Sequence, residues 1–426
     1  MEWTPARIRL LREVGLCLSQ DEFAKALGFA MRTIGNAERG THPPSLALRR
    51  ALDAALEHAS DAQRDRFLPA VTIRETTTRS NTRSSTTAAG PPPGTLDRLR
   101  SAVLGTPPAL PLDVDSPPAR STTTITAATV EVHRLYQLAD YDAAAQLLPI
   151  VLARPQGATY ASPDECLAGT LTAQHVMAAA YIAAAKLTTK LGDVGLASVT
   201  ADRAMTAAKE SEHAALVGAA TYQAACALLM SGELGAAERI VTAGAENIAN
   251  ITTIRRLNRH TEETLSAQGS LLLLLAVVAA RRGDQNSAQR AIRDAGQLAE
   301  QLGCDSNWLW TAFGPTNVAI HQLSVQSQLG NAKKAVQIAE TIDTDAMPVV
   351  LRGRRSRIHL ELGWAAAKQA DDAVAVLHLL EVERVAEQAV SRSASARTLL
   401  GMLMARERRS VTPGLQGLAS RAGVLT

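Results

Sequence analysis

Aromatic residues are scarce in this chain: four Trp, five Tyr and four Phe make up 3% of its 426 residues. Any core must therefore be mostly aliphatic, and a 46% hydrophobic content can bury a substantial one in two to three domains. Cysteine is equally rare. Cys17, Cys166, Cys226 and Cys304 stand far apart with no CxxC or Cys/His spacing, so they read as small core residues in a reducing cytoplasm and not as metal ligands. Charge of one sign is lacking too, since the formal net charge of +3 is too small to carry nucleic-acid binding alone. The longest apolar run, LLLLLAVVAA at 271–280, is about half of the roughly 20 residues needed to span a bilayer. Arg7, Arg9 and Arg12 interrupt the first apolar positions, which is unlike a secretory signal. A cytoplasmic protein without a membrane partner is expected.

Catalytic signatures are missing as well. There is no Gly-rich phosphate loop, HExxH, GxSxG or paired-carboxylate arrangement, and the nine histidines are scattered without metal spacing. The expectation is a protein that is not an enzyme, with no catalytic residue, no metal and no cofactor.

What is present falls into regions. Residues 1–69 alternate short amphipathic runs with turn residues, whereas 70–124 are rich in Thr, Ser and Pro with little to pack, which reads as a flexible linker. Within the linker, LDRLRSAVL at 96–104 has helical spacing. From 125 to 410 the chain is rich in Ala and Leu and carries recurring turn markers: ADYD (139–142), LGD (191–193), SGEL (231–234), RGD (282–284), LGN (329–331) and ADD (370–372). Each lies between two helix-length segments. Steps of 40, 51 and 47 residues separate Gly192, Gly232, Gly283 and Gly330, longer than the roughly 34 of a strict tetratricopeptide repeat. A lone helical hairpin cannot hide its apolar face, so the pattern predicts an all-α chain whose hairpins stack into a tetratricopeptide-like solenoid, or else an ordinary helical bundle. Residues 411–426 form a tail. Arg392, Arg397, Arg406, Arg408, Arg409 and Arg421 outnumber Glu407 near the C-terminus, as a solvated helix end or an aid to DNA binding.

In the first region, Ser19 and Glu22 of SQDEFAKALG make a capping-box pattern, and Phe23, Ala24 and Leu27 supply a buried face. Gly28 supplies a turn and AMRTIGNAERG a second short helix closed by Gly40, between an opening helix at 5–14 and a closing one at 45–56. These residues resemble the helix-turn-helix domain of the Cro and phage-repressor (XRE) family, through LSQDEFAKALG, RTIGNAERG and the loop HPPS, over about 60 residues. The resemblance implies a five-helix-type domain with the second helix of the pair in the major groove of an operator. Met31, Arg32 and Asn36 are then the base readers: Arg32 suits guanine, Asn36 adenine and Met31 a thymine methyl. Thr33 lies beside the backbone, and Gln20 matches the family's phosphate-contacting glutamine. Ala30 stands where the family often has a capping Ser or Thr, Gly35 weakens the helix by up to ~1 kcal/mol, and Ala37 replaces a larger core residue. Glu38 and Arg39 read as an intradomain ion pair or a solvated turn.

The scarce aromatics concentrate at WLWTAFGPTNV. Trp308, Trp310 and Phe313 precede Gly314-Pro315, where a helix can start without losing an amide, near Thr316. Along it Asn317, His321, Ser324 and Gln328 share one polar face at i, i+4, i+7 and i+11. Flat apolar walls beside convergent polar groups describe a ligand pocket, while the other reading has the aromatics plugging a gap between repeats. Gln174, Tyr181, Tyr222 and Gln268 can face the same groove or a hairpin interface. WTAFGPTNVA with the following His, and more weakly AYIAAAKLTTKLGD and LGAAERI, resemble the helical sensor part of actinobacterial regulators that join an XRE-type head to tetratricopeptide-like repeats, touching most of 125–390. The resemblance implies a homodimeric transcriptional regulator that binds a double-stranded DNA operator and a small-molecule or peptide effector. The alternative is a non-enzymatic protein-interaction scaffold with a degenerate head.

Overall fold

The computed structural model describes residues 3–12, 16, 18–40, 44–59, 95–104, 122–152, 163–255, 261–343, 347–348, 350–407 and 412–424; for Ala6, 95–96, 122–124, 163–172, 251–255 and Thr261 it describes the backbone alone. Among these residues every regular element is helical and none is a strand. By contacts the chain divides into two units, Met1–Thr86 with Arg120–Glu131 and Thr87–Ala119 with Val132–Thr426. The division thus falls at 86/87, 119/120 and 131/132, so that residues 87–119 group with the second unit. Apart from the helix at 95–104 and its last three residues, the linker lies outside the described residues.

The first unit carries α1 (Pro5–Leu10), α2 (Gln20–Leu27), α3 (Met31–Arg39) and α4 (Leu46–Glu57). Local chemistry sets their ends. Pro5 opens α1 at a position where its missing amide costs nothing, and Thr4 caps it. The capping box on α2 is complete, with Glu22 N donating to Ser19 Oγ at 3.2 Å and Ser19 N to Glu22 Oε2 at 2.8 Å. Gly28 and Gly40 close α2 and α3 at φ 74° and 73°, a left-handed region that favours glycine. Ala30 leaves the start of α3 without a side-chain cap, whereas Ser45 caps α4. Ile8, Leu11, Phe23, Ile34, Leu48 and Leu52 form the core, and Trp3 joins it while donating from Nε1 to Asp53 Oδ1 at 2.7 Å.

One ionic contact ties this core. Glu38 is buried and accepts from Arg12 Nε at 2.6 Å, from Arg12 Nη2 at 3.0 Å and from Gln20 Nε2 at 2.8 Å. Its partner is therefore Arg12 and not Arg39, whose Nη2 reaches Asn36 Oδ1 at 2.8 Å. Gly35 is buried with Arg39 Nη1 3.2 Å from where a β-carbon would stand, so the residue that weakens the helix also admits a close neighbour.

The second unit runs through α5 (Thr95–Leu104), α6 (Thr122–Gln137, from Val132), α7 (Tyr141–Leu152), α8 (Pro163–Leu191), α9 (Val194–Glu210), α10 (Ala214–Met230), α11 (Leu234–Arg255), α12 (Thr261–Arg281), α13 (Gln285–Leu302), α14 (Pro315–Gln328), α15 (Ala332–Glu340), α16 (Arg352–Lys368), α17 (Asp372–Val385), α18 (Glu387–Arg392), α19 (Ala394–Ala405) and α20 (Leu415–Arg421). From α8 to α14 each helix packs on the next in sequence, and α14 through α17 continue the pattern. All six turn markers lie between consecutive helices. Each places one residue in the left-handed region, Gly192, Gly232, Gly283 and Gly330 in four of them and Ala139 and Ala370 in the other two. In LGD, RGD and ADD the aspartate that follows caps the next helix: Asp193 accepts from Leu196 N, Asp284 from Ser287 N and Asp371 from Val374 N. The short helix expected in the linker is α5, whose Leu99 and Val103 are fully buried and which packs on α7.

By length and composition one helix among the described residues, Glu262–Arg281, could cross a membrane, and 72% of that window is buried inside the protein. The apolar run within it is ten residues long. At the C-terminal end Arg392 pairs with Asp142 at 2.8 Å, Arg406 with Asp372 at 2.9 Å and Arg421 with Glu383 at 2.7 Å, so these arginines have intramolecular partners.

Because Arg12 and Glu38 are both buried, Arg12→Met leaves a carboxylate without its cation and is expected to destabilise the first unit by about 3–5 kcal/mol. Urea unfolding followed by far-ultraviolet circular dichroism reads this. Arg12→Met/Glu38→Leu should recover most of the loss, and a single variant within error of the parent would contradict a structural role for the pair.

Candidate functional site

Between the end of α13 at Gly303 and the start of α14 at Pro315 the chain makes a crossing that walls a cavity. Its base is closed by Ser306 N donating to Phe313 O at 3.1 Å, and Asp305 Oδ1 accepts the Thr316 amide at 3.0 Å at the start of α14. Trp308–Trp310 form a 3-10 turn in which Leu309 and Trp310 take φ 51° and 55°, followed by Ala312 at φ 53°. Left-handed backbone at non-glycine residues costs on the order of 1–3 kcal/mol each and persists where surroundings over-determine it.

Several contacts do so here. The Phe313 ring is fully buried against α12, and a β-carbon at Gly269 would collide with its Cζ. A β-carbon on Gly314 would collide with Asp305 Oδ1, so glycine is required by close approach. Trp310 stacks on His133 of α6, with centroids 3.7 Å apart and planes 2° from parallel. Asn307 and Gln137 exchange two side-chain hydrogen bonds, at 2.7 and 3.0 Å. Two cations grip consecutive carbonyls of the crossing: Lys186 Nζ donates to Trp310 O at 2.9 Å and Arg354 Nη2 to Thr311 O at 3.3 Å.

The cavity, about 40 Å³, is lined from five helices and the crossing. α8 contributes Lys186, α10 Tyr222 and Gln223, α12 Ser270 and Leu273, α14 Asn317 and His321, and α16 Arg354, with Leu309, Trp310 and Thr311 from the crossing. Asn317 Oδ1 and Ser270 Oγ are buried there without a hydrogen-bond partner among the described residues. Buried polar atoms are nearly always satisfied in native proteins, so these two mark a place where a partner belongs.

The electrostatics are lopsided. Among the described residues neither Asp nor Glu lines the cavity, and the buried Glu361 is engaged by Arg357. Burial, and next the Arg354 charge, push the Lys186 amine down to about 7; burial with Arg357 and Arg354 does the same to Lys190, also to about 7. Burial likewise lowers Arg354 from its ordinary value. His321 falls to about 3 through burial and then Arg354, and its Nδ1 bonds the Asn317 carbonyl at 2.9 Å, which leaves a neutral ring with Nε2 as an acceptor. His133 is held well below its usual range by burial and then by Lys186. The Cys226 thiol is pushed up to about 12 by burial, so it is an inert thiol. Among the described residues no group of three or more His, Cys, Asp or Glu is placed to hold a metal ion.

Of the residues singled out in sequence as ligand-binding, Trp310, Asn317, His321 and Tyr222 meet at this cavity. The rest lie off its wall. Phe313 belongs to the core of α12–α14, Trp308 is 42% exposed, and the Thr316 amide is taken by Asp305. Ser324 is buried farther along α14, and Gln328 is half-buried at its end, and neither lines the cavity. Tyr181 is turned to Arg203, whose Nη1 donates to its hydroxyl at 3.3 Å, and Gln174 and Gln268 are half-buried elsewhere on α8 and α12. Sequence reasoning missed Lys186, Gln223, Ser270 and Arg354; a lone lysine within AYIAAAK and the RGRR start of α16 were the available signals.

At the first unit, Met31, Arg32 and Thr33 are exposed side by side at the start of α3, above buried Ile34 and Ala37. Asn36 and Gln20 differ, since both already hold intramolecular partners in Arg39 and Glu38. Compared with family models, curated proteins and solved structures, the chain matches none.

Two outcomes test this geometry. Gly269→Ala drives a methyl into the Phe313 ring and is expected to cost about 1–3 kcal/mol; paired with Phe313→Leu the loss should be smaller than the sum of the singles, and strict additivity in urea unfolding would mean the two do not touch. Between pH 6.5 and about 3 the unfolded chain binds a proton that folded His321 refuses, so its contribution to stability is lost as pH falls through that window. His321→Gln should flatten the acid limb of the stability profile, and an unchanged slope removes His321 from the account.

Proposed function

We propose that the chain is a sequence-specific DNA-binding transcriptional regulator, with a helix-turn-helix first unit and a tetratricopeptide-like helical second unit that binds an effector. The observation that carries the reading is the run Met31, Arg32, Thr33, exposed at the start of a short helix whose inner face is packed and whose predecessor ends in the Gly28 turn. Side chains at the start of a recognition helix are those that reach base edges in the major groove. The cavity at the crossing supports the effector half, because two buried polar atoms there lack partners. A head with few base contacts acts as a cytoplasmic homodimer on half-sites about 34 Å apart. Ligand and operator then need a coupling of only about 1–3 kcal/mol.

A second reading, a protein-interaction scaffold with a degenerate head, is favoured by the internal engagement of Asn36 and Gln20. Selection from randomised duplex DNA with the full chain separates the two. A recovered palindrome, with Arg32→Ala weakening it by about 1–3 kcal/mol at one position, supports the regulator. Binding that is salt-sensitive and blind to sequence supports the scaffold.

A further inference from the structure

The effector reading leaves the ligand class open, and the charge of the cavity narrows it. Taking that cavity as the effector site, we infer that it receives a small oxyanion-bearing molecule, with the anionic group held between Lys186 and Arg354 and a hydroxyl or amine of the same molecule on Asn317 Oδ1.

Both cations keep donors in reserve. Among the described residues Lys186 uses one of three, on Trp310 O, and Arg354 uses one of five, on Thr311 O at the long distance of 3.3 Å. Among the described residues neither has a carboxylate partner, and neither does Lys190, which lies 5.7 Å from the centroid of the Tyr141 ring. Partly buried cations without a counter-charge are costly, and a guanidinium fork with an ammonium beside it matches an oxyanion bidentately. Because Lys186 and Arg354 grip neighbouring carbonyls of one segment, their remaining donors converge on the same wall. The depressed lysines agree with this, since an arriving anion restores their charged form.

Asn317 Oδ1 adds the second requirement, a donor on the ligand, while the Ser270 hydroxyl can donate or accept. Trp310, fixed flat on His133, supplies an apolar edge at the same wall. Size sets a limit: a cavity of about 40 Å³ takes about three waters or one anionic head group, and not a folded peptide.

The test uses the full chain in Tris-chloride at fixed ionic strength, with calorimetric titration by inorganic phosphate, malate and ribose. Saturable binding of phosphate or malate, with ribose silent, is expected, and which of the two binds assigns the oxyanion. Arg354→Gln and Lys186→Gln should each weaken binding about tenfold or more, with Arg354→Lys recovering part of the loss. Circular dichroism checks that each variant is folded. Absence of saturable binding by both anions to the parent chain overturns the proposal, whatever the variants do. So does binding that both folded glutamine variants retain unchanged. Oxyanion binding without any selected DNA sequence keeps this site and removes the regulator reading; a selected operator with no oxyanion binding does the reverse.

Discussion

The close approach of the Phe313 ring to the bare backbone of Gly269 is the constraint on which the second unit's site depends. No residue with a β-carbon fits at position 269 against the ring's Cζ end. Seated there, Phe313 draws the 304–314 segment across the helices at a height that puts Trp310 on His133 and the Trp310 and Thr311 carbonyls within reach of Lys186 and Arg354. The left-handed residues Leu309, Trp310 and Ala312 follow from this pinning. Strain of that kind is held by tertiary contacts, and here the same contacts wall the cavity.

The site's chemistry is then a consequence of helix order. Lys186 on α8 and Arg354 on α16 lie far apart in the chain, and the crossing between α13 and α14 brings a carbonyl to each. Carbonyl oxygens solvate a cation in part without neutralising it, so the wall keeps a positive field that the Arg357–Glu361 pair does not cancel. In the first unit the ionic problem is solved the other way. Glu38 meets Arg12 and Gln20 in a closed network, and the exposed residues of α3 are left outside it.

Much of the helical order was legible in sequence because it is local. Each turn marker holds a residue that tolerates positive φ, often followed by an aspartate that caps the next helix, so composition betrays the boundary. Ala139 and Ala370 escaped a glycine-based count because alanine takes the left-handed position there at some cost. Residues on one helix face were legible in part: Asn317 and His321 share the cavity, but the same period carries on to Ser324 and Gln328, which it does not reach. The three aromatics looked alike in sequence and are not. Phe313 is core, Trp310 is wall and Trp308 is half in solvent, a distinction made by Gly269 some 44 positions earlier. Partnerships between distant charges, Arg12 with Glu38 or Arg392 with Asp142, leave no trace in local pattern.

Hydrogen exchange resolved to the 304–314 peptides tests the pinned crossing most directly. With Phe313 seated on Gly269, the amides of Trp310, Thr311 and Phe313 are expected to exchange far more slowly than an exposed loop, and Phe313→Leu should accelerate them together with the turns of α8 and α16 that grip the crossing, while α9 stays unchanged. Exchange at free-loop rates in the parent chain would contradict the account, because a segment that opens so readily cannot wall a cavity.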